Sequence, residues 1–332
     1  MSAAQDQEPV LEPDLPIVDA HHHLWIDQRW STAYVRDYPA ADFLADAAGC
    51  NLAATVYVEC GSAFRPDGPA HLRPVGETEF AAAAGHAAVG PTRLCAGIVG
   101  AADLRLGAAV GEVLDAHMAA GGGRFRGVRA QVTHVEDPAV PIYYRPHPPR
   151  LLADPALRAG AAELVRRGLS LDVWLVHPQL PELTALADAL PDLTIVCNHV
   201  GGLLTLGGYG ERPDRSFADW KAGLAEAARR PNVVLKLGGL GMRAMSAALI
   251  AEHRGHAASE TLAAAWRPIF EACVETFGPA RCVLESNFPV DKLAGGYRQT
   301  WNAYKRLSRG LSADERTALF SGTAAWVYRL EL

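Results

Sequence analysis

The sequence predicts one closed parallel α/β barrel, a (β/α)8 fold. Three observations carry that prediction. The chain has 332 residues, within the range of about 200 to more than 400 that one such barrel with elaborated loops occupies. Eight short apolar, β-branched runs recur along it, separated by Ala- and Leu-rich stretches of helical length. Histidines and other polar residues stand directly after several of these runs, where a parallel barrel keeps its chemistry.

The runs are Ile17 to Ala20, Ala54 to Val58, Leu94 to Val99, Gly127 to Gln131, Leu169 to Val176, Thr194 to Cys197, Val233 to Leu237 and Cys282 to Leu284. Most are too continuously apolar for a sheet with one wet face, so they read as strands covered on both sides. Pro181 to Leu190 and Trp220 to Arg230 read as intervening helices, stopped before Pro191 and Pro231 because proline cannot continue a helix. Thr133 to Pro149, rich in Pro, Tyr and His, follows the fourth strand and is expected to form a wall or lid of the site. Ala247 to Ile269 is an amphipathic stretch without a strand of its own and is expected to decorate the barrel after the seventh strand. Residues 1–14 read as a flexible leader and 15–332 as one catalytic domain. An open doubly wound sheet is the competing fold, and it fits less well because no Gly-x-Gly-x-x-Gly opens a helix after the first strand.

Hydrophobic residues make up 49% of the chain and charged residues 20%, with a formal charge of −6, the balance of a soluble domain with a sizeable core. Lys and Arg are scattered, which argues against nucleic acid as a partner, and no apolar stretch has the length of a membrane span. The six cysteines are far apart without a Cys-x-x-Cys and read as buried reduced thiols of a cytoplasmic protein. A small-molecule substrate is the expected partner, and assembly as a homo-oligomer is left open.

Four histidines stand at strand ends. After the first strand comes Asp19-Ala20-His21-His22-His23-Leu24-Trp25. Alternation sends His21 and His23 to one side, about 6 to 7 Å apart along the strand, and His22 to the other as a structural residue. The fifth strand leads to His177-Pro178-Gln179 and the sixth to His199-Val200-Gly201-Gly202. A lone strand-end histidine is more often a structural hydrogen bonder, but three strand ends of one barrel converge on one mouth. His71, His86, His117, His253 and His256 read as exposed residues of loops and helices, and His134 and His147 belong to the long fourth loop. On the fourth strand Arg129 shares a face with Gly127 and Gln131, opposite Arg126. If inward, it can fork to a substrate carboxylate or lactone oxygen. Trp25, Tyr143, Tyr144 and Phe288 are candidates for an aromatic wall.

These residues, together with Leu284-Glu285-Ser286-Asn287-Phe288-Pro289, resemble the amidohydrolase superfamily and, within it, the branch of sugar-lactone and pyrone-dicarboxylate lactonases. The resemblance spans Ile17 to Leu330. It implies that His21, His23, His177 and His199 bind metal or orient water. At the eighth strand that superfamily usually has Ser-Asp-aromatic-Pro. Here Asn287 stands at the aspartate position and cannot act as a general base. Glu285 should share its face one layer deeper, by alternation, and is the displaced carboxylate to consider, with Asp291 and Lys292 next. No lysine or glutamate lies in Phe125 to Gln131, so a two-metal centre is not expected. One divalent ion, zinc by preference, on His21, His23 and His177 and metal-free operation both remain open.

The resemblance implies hydrolysis of a small lactone in catabolism of a sugar acid or an aromatic ring-cleavage product. Water held by the histidines would attack, Glu285 or a histidine would take its proton, and His177 or His199 would donate to the oxyanion. The alternatives are a metal-dependent decarboxylase of an aromatic or unsaturated carboxylic acid and a ligand-binding barrel without turnover.

Overall fold

The computed structural model describes residues 8–28, 34–140 and 147–332. Eight parallel strands, β1 (Ile17–His22), β2 (Leu52–Val58), β3 (Arg93–Gly100), β4 (Phe125–Gln131), β5 (Ser170–Trp174), β6 (Ile195–Cys197), β7 (Val233–Leu237) and β8 (Cys282–Leu284), pair in chain order. The circle closes beyond β8. Asn287 N–H donates to the His21 carbonyl at 2.8 Å, His23 N–H donates to the Phe288 carbonyl at 2.8 Å, and His22 and Phe288 form a parallel bridge. All eight expected strands are present.

Inside the barrel the strands alternate as doubly covered strands must. Val56 and Val58 of β2, Val196 of β6, Val234 of β7 and Val283 of β8 pack in one cluster with Ala324, Val327 and Tyr328 of the carboxyl terminus. The chain end therefore plugs one mouth of the barrel. The other mouth carries the polar strand ends. In β1 the register slips between Asp19, opposite Thr55, and His22, opposite Tyr57. This bulge turns Asp19 outward to Ser286 (2.5 Å) and Tyr297 (3.0 Å) while His21 points inward.

The helices ring the sheet: α1 (Ala40–Asp46), α2 (Val75–Ala87), α3 (Val110–Ala120), α4 (Pro155–Arg166), α5 (Leu180–Ala189), α6 (Pro213–Ala228), α7 (Arg243–His253), α8 (Ser259–Phe277) and α9 (Tyr297–Leu307), followed by short α10 (Ala313–Thr317) and by α11 (Thr323–Val327), which belongs to the plug. The stretch Ala247 to Ile269 is not one decorating element. Arg254 (φ 50°) and Gly255 (φ 85°) break it in the left-handed region, and α8 beyond the break buries Trp266 and Phe270. The apolar pattern ran on across a turn that periodicity does not register. His117 also differs from its expected exposure. It is fully buried at the end of α3, stacked on Phe125 at 4.9 Å and held by Thr78 at 2.8 Å and the Ala101 carbonyl at 3.0 Å.

Of the expected leader, residues 1–7 lie outside the described residues. The rest is tied down: Glu8 accepts from Ser259 N–H (3.1 Å) and Asn302 (2.9 Å), and Leu11 N–H donates to Asn302 (2.9 Å). All six cysteines are unbridged, five buried and Cys50 half-buried. No helix among the described residues is long and apolar enough to cross a membrane.

Candidate active site

The bulge in β1 aims His21 and His23 into the barrel mouth, where their Nε2 atoms stand 3.2 Å apart. Two imidazole lone pairs do not face each other at that distance, so a proton or a cation belongs between them. His23 Nδ1 meets the Val58 carbonyl at 2.8 Å, which places the hydrogen on Nδ1 and the lone pair on Nε2. His21 Nδ1 lies 2.8 Å from Glu285 Oε2 and 3.2 Å from Lys236 Nζ. Two proton arrangements satisfy these contacts. In one, Glu285 is protonated, Lys236 and the Glu285 hydroxyl both face the bare His21 Nδ1, and His21 Nε2–H donates to His23. In the other, His21 Nδ1–H donates to Glu285 and both Nε2 lone pairs are available to a cation.

Glu285 also binds a second imidazole, His199, whose Nδ1 lies 2.6 Å from Oε1. One carboxylate thus spans histidines from β1 and from the turn after β6. The backbone makes room for it. His199 (φ 51°) and Val200 (φ 50°) sit in the left-handed region, followed by Gly201 and Gly202, also left-handed. A Cβ on Gly238 would collide with Glu285, and one on Gly239 with the His199 ring. Strained backbone of this kind persists where the surroundings over-determine it, commonly at functional sites.

Burial, reinforced for His21 by the Lys236 ammonium, holds the His21, His23 and His199 imidazoles well below their ordinary value, so they are neutral. Burial also raises Glu285 to about 8, against the pull of Lys236. The donor chemistry fits one divalent ion. In the second arrangement each imidazole gives its Nδ1 to an acceptor and turns Nε2 toward a ligand, the arrangement that carboxylates and carbonyls impose around bound zinc, with Arg129 Nη1 3.4 Å from the Nε2 of His21. Ligand-type atoms of His21, His199 and Glu285 lie within 4.8 Å of one another. A cation there would favour the ionised form of Glu285.

Beneath this layer lies a second one. Lys236 of β7 and Asp172 of β5 are fully buried and paired at 2.7 Å, and Asp172 also accepts from Asn198 (2.9 Å) and the Tyr328 hydroxyl (3.0 Å). Arg129 points inward, its Nε donating to Glu59 at 2.6 Å, and Gln131 donates to the same oxygen at 2.8 Å. Lys236, Asp172 and Glu59 were not singled out from the sequence. Their signal was present: each is a charge inside or at the end of an apolar strand, and a buried charge demands a partner.

Above the imidazoles opens a pocket lined by His23, Trp25, Arg129, Trp174, His199 and Asn287, among others. Trp25, Arg129, His23, His199 and Asn287 are therefore brought together as the sequence suggested. Three candidates stand apart or beyond view. His177 begins a 3-10 turn beyond β5, takes Leu204 N–H on Nδ1 at 3.2 Å and meets Tyr209 edge-on, so it does not join the other histidines. Phe288 alternates to the outer side, fully buried against Tyr297. Tyr143 and Tyr144 lie outside the described residues. Asn287 donates to Asp291 at 2.8 Å, Asp291 is buried and also accepts from Gly241 N–H (2.9 Å), and Lys292 pairs with Asp46 on the surface. His22 stacks on Phe43 in the wall, as expected. His134 meets the His147 carbonyl at 2.9 Å.

This geometry has relatives. Residues 18–330 match the family model described as amidohydrolase. A protein of Sinorhizobium fredii (strain NBRC 101917 / NGR234) known as uncharacterized protein y4mH is 35% identical over 96% of this chain and 99% of its own length. An L-fucono-1,5-lactonase of Burkholderia multivorans is 34% identical over 52% of this chain and 55% of its own. A crystal structure of an amidohydrolase from Burkholderia multivorans with bound zinc superposes with a TM-score of 0.72 at 26% identity, covering 95% of this chain and 99% of that one. With the family model spanning nearly the whole barrel, the chain belongs to the amidohydrolase family.

Proposed function

We propose that this amidohydrolase opens a small lactone. The observation that carries the reading is the array of neutral imidazoles on Glu285, facing a pocket walled by tryptophans and two guanidiniums. The similarity to a lactonase of Burkholderia multivorans supports it.

A lactone carbonyl lying under Arg129 is polarised by the guanidinium, which Glu59 holds in place. His199 lines the pocket with Nδ1 on Glu285, so its Nε2 faces outward as the base that takes a proton from water. Water oxygen bonds to the carbonyl carbon, the ring carbon–oxygen bond breaks, and the ring oxygen takes the proton back from His199. Glu285 stabilises the transient imidazolium, as the acid of a hydrolytic triad does. The products are a hydroxy carboxylate and one released proton. With a divalent ion, His21, His23 and His199 would be the residues that hold it, with Glu285 behind them; His199 would then be a ligand rather than the base, and the ion would supply a more acidic water and a Lewis acid for the carbonyl.

Purified protein, with and without Zn²⁺ or Mn²⁺, is expected to acidify a weakly buffered indicator solution with at least one member of a panel of five- and six-membered lactones. Silence across the panel under both conditions overturns the reading. Release of carbon dioxide from an aromatic acid in the same assay would assign a decarboxylase instead.

A further inference from the structure

We infer that the substrate carries a carboxylate beside the lactone ring, and that Arg243 binds it. The inference deepens the lactone reading and relies on it for the ring chemistry only. Among the described residues the pocket wall holds two guanidiniums, Arg129 and Arg243, and two imidazoles, His23 and His199, but no Asp or Glu. At the end of β8, where a carboxylate would have faced the substrate, stands the neutral amide of Asn287.

The two arginines differ in what balances them. Arg129 is buried and ion-paired to Glu59 at 2.6 Å. Arg243, the first residue of α7, lines the same pocket with its side chain exposed, and it makes no ion pair or side-chain hydrogen bond among the described residues. Glu285 lies behind the imidazoles, engaged by His21 and His199. Among the described residues the pocket therefore presents one uncompensated positive charge in a planar fork, the geometry that takes a carboxylate through two parallel hydrogen bonds. An uncharged sugar lactone leaves that charge unmatched. A lactone acid matches it, with its ring carbonyl at Arg129 and its carboxylate at Arg243. The carboxylate is a spectator, so its removal weakens binding without changing the bond-breaking step.

The test uses matched probes: γ-butyrolactone against 5-oxotetrahydrofuran-2-carboxylate, and D-glucono-1,4-lactone against D-glucaro-1,4-lactone. The wild-type protein is expected to prefer the acid of each pair by at least about tenfold in kcat/KM, a preference that shrinks with added salt. Arg243→Gln raises KM for the acids by about ten- to a hundredfold, leaves kcat within about twofold and leaves the neutral lactones unchanged, while Arg243→Lys recovers part of the loss. Calorimetry with tetrahydrofuran-2,5-dicarboxylate, which cannot be hydrolysed, reads the same contact without turnover. Binding that Arg243→Gln weakens, in a protein that opens no lactone, keeps the carboxylate site and rejects the lactone chemistry. Neutral lactones opened as well as the acids, or acids handled alike by wild type and Arg243→Gln, overturn the inference.

Discussion

With a cation in the histidine cluster, ionised Glu285 would accept from two imidazoles at once, and only a carboxylate does this without a donor of its own. Glu285→Gln preserves the shape, but its amide nitrogen must donate to one of the two Nδ1 atoms, forcing that ring's hydrogen onto Nε2. Zinc affinity, read by competition with a chromophoric chelator, is expected to fall by about ten- to a hundredfold, as loss of such supporting partners does elsewhere. An unchanged affinity would show that the carboxylate does not set the tautomers. Asn287→Asp tests the neighbouring position. Its donor to Asp291 at 2.8 Å would be replaced by a second carboxylate against a buried acid already raised well above its ordinary value. The variant is expected to lose about 1 to 3 kcal/mol in urea unfolding and to lose activity. A gain in hydrolysis would mean that the native site lacks its base. Residues of this kind were legible when alternation alone decided them. His21 with His23, and Glu285 with Asn287, follow from the period of two, whereas the contacts of His177 with Leu204 and Tyr209 depend on a 3-10 turn after β5 that no residue pattern announces.

Between strands, the buried pair of Asp172 and Lys236 joins β5 to β7 across β6, beneath the imidazole layer. Breaking one side of a buried pair costs about 3 to 5 kcal/mol, because the other charge is stranded. Lys236→Met should show that loss in chemical denaturation, and Lys236→Met with Asp172→Asn should recover much of it. Equal losses in the single and double variants would show that the lysine contributes packing rather than charge. The strands themselves were readable as runs covered on both faces. The bulge in β1 was not, because it depends on how Asp19 is received by Ser286 and Tyr297, residues more than 260 positions away. The break between α7 and α8 was hidden for a different reason: apolar residues continue on both sides of Arg254 and Gly255.

For the molecule as a whole, stability against acid contains a contribution from His117, far from the imidazole cluster. Burial lowers it from 6.5 to about 4. Its folded value lies below its unfolded one, so the stabilisation is present above pH 6.5 and is lost as pH falls from 6.5 through 4. Urea unfolding of wild type is expected to lose about 2 kcal/mol more between pH 7 and pH 5 than that of His117→Gln, which does not titrate. Parallel curves for the two proteins would assign the acid sensitivity to other groups.

The closure of the barrel has a consequence for how the protein comes off the ribosome. The first strand meets the last across Asp19 and Ser286, 267 residues apart, and the two halves of the histidine–carboxylate array are separated by a similar length of chain. Until β8 has emerged, His21 lacks its acceptor and the array does not exist, so a nascent chain carries its histidines without the grip that would sequester zinc. Capture of a divalent ion by the array would then be a late event, reserved for chains that have been translated nearly to the end and have closed the ring.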